Sequence, residues 1–251
     1  LAYGYKTLQH WNQWLAHHYL GHKLLDAENR ALTQVTERHF GKHALLLGVP
    51  AQLNLLSSNH LVCQTLASPL PPKTETPDYI ESDFHDLPFM TGSVDLVLLP
   101  HTLDFIEHPR QLLAEACRII KPDGLIAIAG FNPFSTWGLR KQVSRLKLVP
   151  WTGQFSHPNQ VKKWLNLADF AVEQQVTTMF RPPLDQRYFF DKLDFMEKVG
   201  TRCFPMWGGA YILLARAKVV PLTPIRMKWK QQLSGIRIST TISGHIARRS
   251  K

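Results

Sequence analysis

The sequence predicts an open α/β fold: a mostly parallel sheet with helices packed on both of its faces. Three observations carry that prediction. Residues 94–100 (VDLVLLP), 109–120 and 125–131 (LIAIAGF) read as strand, helix and strand within about 38 residues, which is a βαβ unit. Its two strands are continuous apolar runs without alternation, the pattern of strands covered on both sides. On either side of this unit, short apolar runs again alternate with stretches of helical periodicity.

Taken in order, Leu8, Trp11, Leu15, Leu24, Leu25, Leu32 and Val35 recur at helical spacings over residues 6–38, with an interruption at Gly21, so two helices are expected there. Residues 43–49 (HALLLGV) start after Gly41 and stop at Pro50, which suits a buried strand. A weaker second strand is expected at 61–66, a loop with four prolines at 69–77, and a short third strand at 79–82. Strand four follows at 94–100. The helix at 109–120 opens on Pro109, where a missing N–H costs nothing. Lys121-Pro122-Asp123-Gly124 reads as a turn into strand five. Beyond it, 158–168 is expected to be a helix, and 171–179 and 210–217 the last two strands.

The net charge of +10 is not spread along the chain. Nine Lys or Arg residues and no acid lie between Arg216 and Lys251, leaving twenty basic against nineteen acidic residues in the body. The basicity belongs to a tail, 219–251, expected to be partly disordered or draped on the surface and to offer contacts to RNA or another polyanion. One domain is expected over 1–218, with the amino-terminal helices in 1–42. Three widely spaced cysteines, Cys63, Cys117 and Cys203, argue against disulfides and zinc knuckles. No apolar run is long enough for a membrane span or a signal peptide, so a cytoplasmic protein is expected.

Between Asp83 and Phe131 the sequence resembles the central block of class I S-adenosylmethionine-dependent methyltransferases. The features are an acid after strand three, Leu87-Pro88-Phe89, Gly92-Ser93-Val94-Asp95 leading into strand four, and Lys121-Pro122-Asp123-Gly124 before strand five. Residues 20–28 (LGHKLLDAE), 98–105 (LLPHTLDF), 130–141 (GFNPFSTWGLRK) and 215–224 (ARAKVVPLTP) are similar to the YafS-like group of proteobacterial proteins. The resemblance implies a Rossmann-like, seven-stranded, mostly parallel sheet with an antiparallel strand near one edge. It also implies S-adenosylmethionine as cofactor and a methyl acceptor that the sequence does not identify. In such sheets ligands sit outside the carboxyl ends of the strands where strand order reverses. By resemblance, Gly48 and Val49 match the start of the cofactor loop and Asp83 the acid that accepts from the adenine amino group. Phe84 matches a residue beside the adenine ring, and Leu99, Pro100 and His101 the segment that approaches the methionine part.

The departures from the family pattern are local. The first motif is an acid followed by Gly-x-Gly-x-Gly, but here the acid is Leu46, and the second and third glycines are Pro50 and Gln52. Proline fixes φ and removes a donor where glycine would allow close backbone approach. The acid that binds the ribose hydroxyls after strand two is also absent, because no Asp or Glu lies between Glu37 and Glu75.

Methyl transfer needs chiefly in-line placement of the acceptor, with a base for some O or N acceptors. His101, directly after strand four and near Asp104 and His108, is the base candidate; a hydrogen-bonded histidine without a proton-transfer role is the alternative. Asn132-Pro133-Phe134 follows strand five rather than strand four, so it reads as a turn near the acceptor's entrance, not as an amino-group methyltransferase signature. Trp137, Arg140 and Lys141 either line an acceptor site or form a solvated basic helix face. His17, His18 and His22 lack a nearby carboxylate or cysteine and read as helix-surface residues, so no metal is expected. Residues 179–183 and 188–190 place aromatics and prolines where a substrate lid or simple packing would use them. Two functions follow: a methyltransferase, or a catalytically lapsed relative kept as a binding or scaffold module. A nicotinamide-dependent dehydrogenase ranks below both, since strand one lacks Gly-x-Gly-x-x-Gly.

Overall fold

A computed structural model describes residues 2–218 apart from 38, 40, 57–61, 74–77, 145–147, 185–192, 194 and 205. The basic tail expected at 219–251, and the part of the lid segment at 188–190, lie outside the described residues.

Seven strands form one sheet: β1 (His43–Leu47), β2 (Cys63–Ser68), β3 (Asp78–Glu81), β4 (Val94–Pro100), β5 (Ile120–Phe131), β6 (Phe170–Thr178) and β7 (Ala210–Ala217). Their order is β3-β2-β1-β4-β5-β7-β6. The first five are parallel, and β7 runs antiparallel to both β5 and β6. This is the expected seven-stranded, mostly parallel sheet with an antiparallel strand near one edge, and the order reverses between β1 and β4.

Successive side chains of each strand enter different cores, as strand geometry requires. Leu45, Leu47, Val97, Leu99, Ile126 and Ile128 share one cluster with Leu112 and Ile119 of α4 (Pro109–Ile119) and Val161 of α6 (Pro158–Leu167). Ala44, Leu46, Leu96, Leu98 and Ala127 share the other with Leu32 and Val35 of α2 (Tyr19–Thr36). Among the described residues the remaining helices are α1 (Ala2–His17), α3 (Thr102–Phe105), α5 (Thr136–Val143) and α7 (Phe195–Cys203), with a 3-10 helix at Pro50–Leu55.

Three local expectations need correcting. The break between α1 and α2 falls at His18, not Gly21. His18 is extended and accepts from Leu20 N, while a Cβ at Gly21 would stand 2.6 Å from Trp14 O, so that glycine serves close packing. Lys121-Pro122-Asp123-Gly124 is not a turn ahead of β5 but a bulge within it. Ile120 pairs with Val94 and Leu125 with Leu96, so the extra residues loop out through Asp123 at φ 66°. Third, the stretch after β1 is helical, because Pro50 at the first helical position suits a helix start.

Among the described residues no helix is long and apolar enough to cross a membrane. The three cysteines are free thiols, and burial pushes Cys117 up to about 12, so it stays protonated.

Candidate functional site

The carboxyl ends of β1 to β5 face α1, and the two sides of this edge are built differently. At the β3 side the chain turns through Ser82, Asp83 and Phe84. Ser82 Oγ accepts from Phe84 N at 3.3 Å and Asp83 Oδ1 accepts from His85 N at 3.1 Å. These side-chain bonds hold the left-handed conformation of Phe84, φ 70°, which drives its ring into the core while Asp83 stays exposed. Asp83 and Phe84 line a cavity of about 490 Å³ together with Pro69 after β2, Ile106 after α3, and Tyr5 and Leu8 of α1. That volume falls in the range of ordinary small-molecule sites, about 300–1,000 Å³.

At the β1 and β4 side the edge is filled. Gln52, in the 3-10 helix, is fully buried; its Oε1 accepts from Val49 N at 3.0 Å and its Nε2 donates to Pro100 O at 2.8 Å. A Cβ on Gly48 would stand 2.6 Å from Gln52 Oε1, so the glycine is needed for the glutamine rather than for an open loop. Thr102 Oγ1 donates to Leu47 O, closing the gap between β1 and β4 a second time. Gly48, Val49, Leu99 and Pro100 are therefore brought together, but they are buried and do not line the cavity of Asp83 and Phe84.

His101 sits at the same packed side, in the left-handed region at φ 57°. Its Nδ1 pairs with Asp104 Oδ2 at 2.9 Å, and its Nε2 makes a short contact with Glu28 Oε1 of α2. Asp104 Oδ2 also accepts from Phe131 N at 3.0 Å, so one network joins α2, β4, α3 and β5. Burial alone would push the imidazole pKa down, but the Glu28 and Asp104 carboxylates outweigh it and raise it from 6.5 to about 9. Burial raises the Asp104 pKa as well, against the pull of His101. Trp11 of α1 covers the imidazole, with ring centroids 5.5 Å apart, and also touches Phe105 and Phe131. A base must reach the proton it removes, and both ring nitrogens of His101 are engaged with carboxylates inside a fully buried cluster.

After β5, Asn132 is a structural knot. Its Nδ2 donates to Met206 O at 2.8 Å and Gly208 O at 3.1 Å, and its Oδ1 accepts from Phe134 N at 3.1 Å. Ser135 then caps α5 by accepting from Gly138 N. Trp137 is buried, with Nε1 donating to Arg181 O, and Arg140 donates to Pro183 O while lying 5.2 Å over the Trp151 ring. Phe134 is the one of the four that projects outward, 74% exposed beside His157. Lys141 donates to Gly153 O over the Phe155 ring. His18 caps α2 and stacks on Trp14, and among the described residues no group of His, Cys, Asp and Glu is placed to hold a metal ion.

The role of α1 as a roof was not legible in the sequence. Leu8, Trp11 and Leu15 mark a buried helix face, but nothing in their spacing says that the face covers the strand ends. Gln52 was visible only as a lost glycine.

Comparison with known proteins agrees with this architecture. Residues 52–128 match the family model described as a methyltransferase domain. Over 162 residues, 64% of the chain, the sequence is 33% identical to the uncharacterized protein YafS of Escherichia coli (strain K12), and the match spans 64% of that relative's own length. A malonyl-[acyl-carrier protein] O-methyltransferase of Laribacter hongkongensis is 28% identical over 95 residues, 38% of this chain and 32% of that one. The fold is similar to a solved S-adenosylmethionine-dependent methyltransferase of Thermotoga maritima, at TM-score 0.60 and 14% identity over 84% of this chain and 100% of that chain. It is also similar to one of Archaeoglobus fulgidus, at TM-score 0.53 and 16% identity over 75% and 92%. The sheet order and these likenesses agree: the chain has the fold of solved S-adenosylmethionine-dependent methyltransferases, carries a segment that matches a methyltransferase domain, and is similar to YafS over 64% of its length.

Proposed function

We propose that the chain is an S-adenosylmethionine-dependent methyltransferase that receives the adenosyl end of its cofactor at Asp83 and Phe84 and acts on an acceptor still to be identified. The observation that carries this reading is the cavity of about 490 Å³ outside the end of β3, with an exposed carboxylate at its wall and a buried aromatic ring at its base. It lies on the strand-end side of the sheet where this architecture binds ligands. Asp83 is suited to accept a hydrogen bond from an exocyclic amine, and Phe84 with Ile106 supplies apolar surface for a base. S-adenosylmethionine, when bound, supplies an electrophilic methyl group on sulfur. The chain's task is then to hold the acceptor in line and keep water out, tasks for which α1 as a roof and Phe134 near the end of β5 are placed.

In this reading His101 is a positioning residue. It ties α2 to the ends of β4 and β5 as a buried cation between two carboxylates. Gln52 favours a second reading, a lapsed methyltransferase that keeps the fold as a binding module, because it occupies the space an open glycine loop would leave above Gly48. Calorimetry with S-adenosylmethionine and with S-adenosylhomocysteine separates the two. Saturable binding that weakens in Asp83→Asn supports the enzyme, and no heat at millimolar ligand removes it. A polyanion contact through residues 219–251 is tested by RNA binding against salt. A steep salt dependence that survives deletion of those residues contradicts it.

A further inference from the structure

The loss of polar groups from the loops after β1 and β2 raises the question of what else on this edge can hold hydroxyls and a carboxylate. A second chamber, of about 460 Å³, lies outside the 3-10 helix. It is lined by Gln9, Asn12 and Gln13 of α1, by Lys73 after β2, and by Pro50 and Leu53. Tyr5 lines both this chamber and that of Asp83, and the floor passes from Pro69 in one to Leu70 in the other. The two chambers are therefore neighbours with Tyr5 between them, and their linings include residues that follow β3, β2 and β1.

The chemistry of the second chamber is distinct. Among the described residues its lining holds three carboxamides, the Lys73 ammonium and the His17 imidazole, and no carboxylate. Carboxamides both donate and accept, which suits a pair of hydroxyls, and a lysine suits a carboxylate as a point charge. Asn12 is already fixed in place: its Oδ1 accepts from Ala51 N at 2.9 Å, which commits its oxygen and leaves its NH2 as the group it offers. Gln52 takes the space over Gly48, while the chamber outside the 3-10 helix adjoins that of Asp83 at Tyr5.

We propose that this chamber takes the ribose hydroxyls and the amino-acid carboxylate of an adenosyl ligand, with Gln9, Asn12, Gln13 and Lys73 as the hydrogen-bonding groups. The assignment rests on the reading that an adenosyl ligand binds at Asp83. It moves the polar anchors from the strand loops to the amino-terminal helix.

The test titrates the full chain by calorimetry with S-adenosylhomocysteine and with 5′-methylthioadenosine, which lacks the amino-acid carboxylate. The proteins are the wild type, Gln9→Ala/Gln13→Ala and Lys73→Ala. All three positions are exposed, and thermal melting checks that the variants stay folded. The double variant is expected to weaken both nucleosides by about tenfold, the size expected for losing one to two net hydrogen bonds. Lys73→Ala is expected to weaken S-adenosylhomocysteine about tenfold and to leave 5′-methylthioadenosine unchanged. Both ligands binding the variants as tightly as the wild type would overturn the assignment and leave the methyltransferase reading standing. A wild type that binds neither nucleoside would overturn both.

Discussion

The β3 end and the β1–β4 end of the same sheet edge carry opposite solutions to one problem. Both present strand ends beneath α1. At β3 the turn exposes Asp83 and leaves a cavity, whereas at β1 and β4 the turns are stitched together by Gln52, Thr102 and the His101 network. The same edge is open where Asp83 turns outward and packed where Gln52 and Thr102 bridge the strand ends. Where a glycine loop would leave space, a buried glutamine adds hydrogen bonds and rigidity; where the side chains stay short or turn outward, room remains.

The largest effect is expected from removing one partner of the buried His101–Glu28 pair. Glu28→Ala leaves His101 with Asp104 alone in the interior and is expected to cost about 3–5 kcal/mol in urea denaturation, as for other broken buried pairs. The same network gives a pH dependence of definite sign. The folded imidazole titrates near 9, above its ordinary 6.5, so its contribution to stability is full below about 6.5 and is lost as pH rises through about 9. The groups facing it are Glu28 and Asp104, and Lys141 acts on Asp104 in turn. Glu28→Gln is expected to flatten that decline, measured as denaturation midpoint against pH.

A smaller effect is expected at the open end. Asp83→Asn should weaken binding of S-adenosylhomocysteine by roughly 10- to 100-fold, as for a lost hydrogen bond to a charged group, with stability changed by no more than about 0.5 kcal/mol because the side chain is exposed. Gln52→Ala sharpens the contrast from the other side. It leaves Val49 N and Pro100 O without their partner, for a cost of about 1–3 kcal/mol, and opens the space over Gly48. Calorimetry on the same variant is expected to show tighter nucleoside binding, and unchanged affinity would mean that Gln52 blocks nothing. The smallest effect is expected for Phe134→Ala, within about 0.5 kcal/mol of wild-type stability, since the ring is exposed. Once an acceptor is in hand, a raised KM in this variant with kcat retained would place acceptor entry at the end of β5.

Much of the fold was legible because its signals are local. β4 and β7 fall at the expected residues, since their apolar runs are bounded by turns and covered on both faces. The 3-10 helix, α3 and α7 were not anticipated: each is short, and none carries enough periodicity to stand out. The bulge at Lys121–Gly124 read as a turn because four residues with Pro, Asp and Gly have the same local chemistry in either place. Only the pairing of Ile120 with Val94 distinguishes them.

The candidate site divides in the same way. Asp83 and Phe84 could be found from the ordered block around them, and the missing glycines and acids from simple inspection. Residues 46–52 show which groups are absent from the loop, and that information is complete in the chain itself. What replaces them is a matter of distance between elements far apart in sequence. Gln52 meets Pro100, Glu28 meets His101, and the carboxamides of α1 come to line a chamber with Lys73 only when the helix lies across the strand ends. Periodicity tells which face of a helix is buried; only packing in three dimensions decides what that face covers and what its polar edge is left to hold.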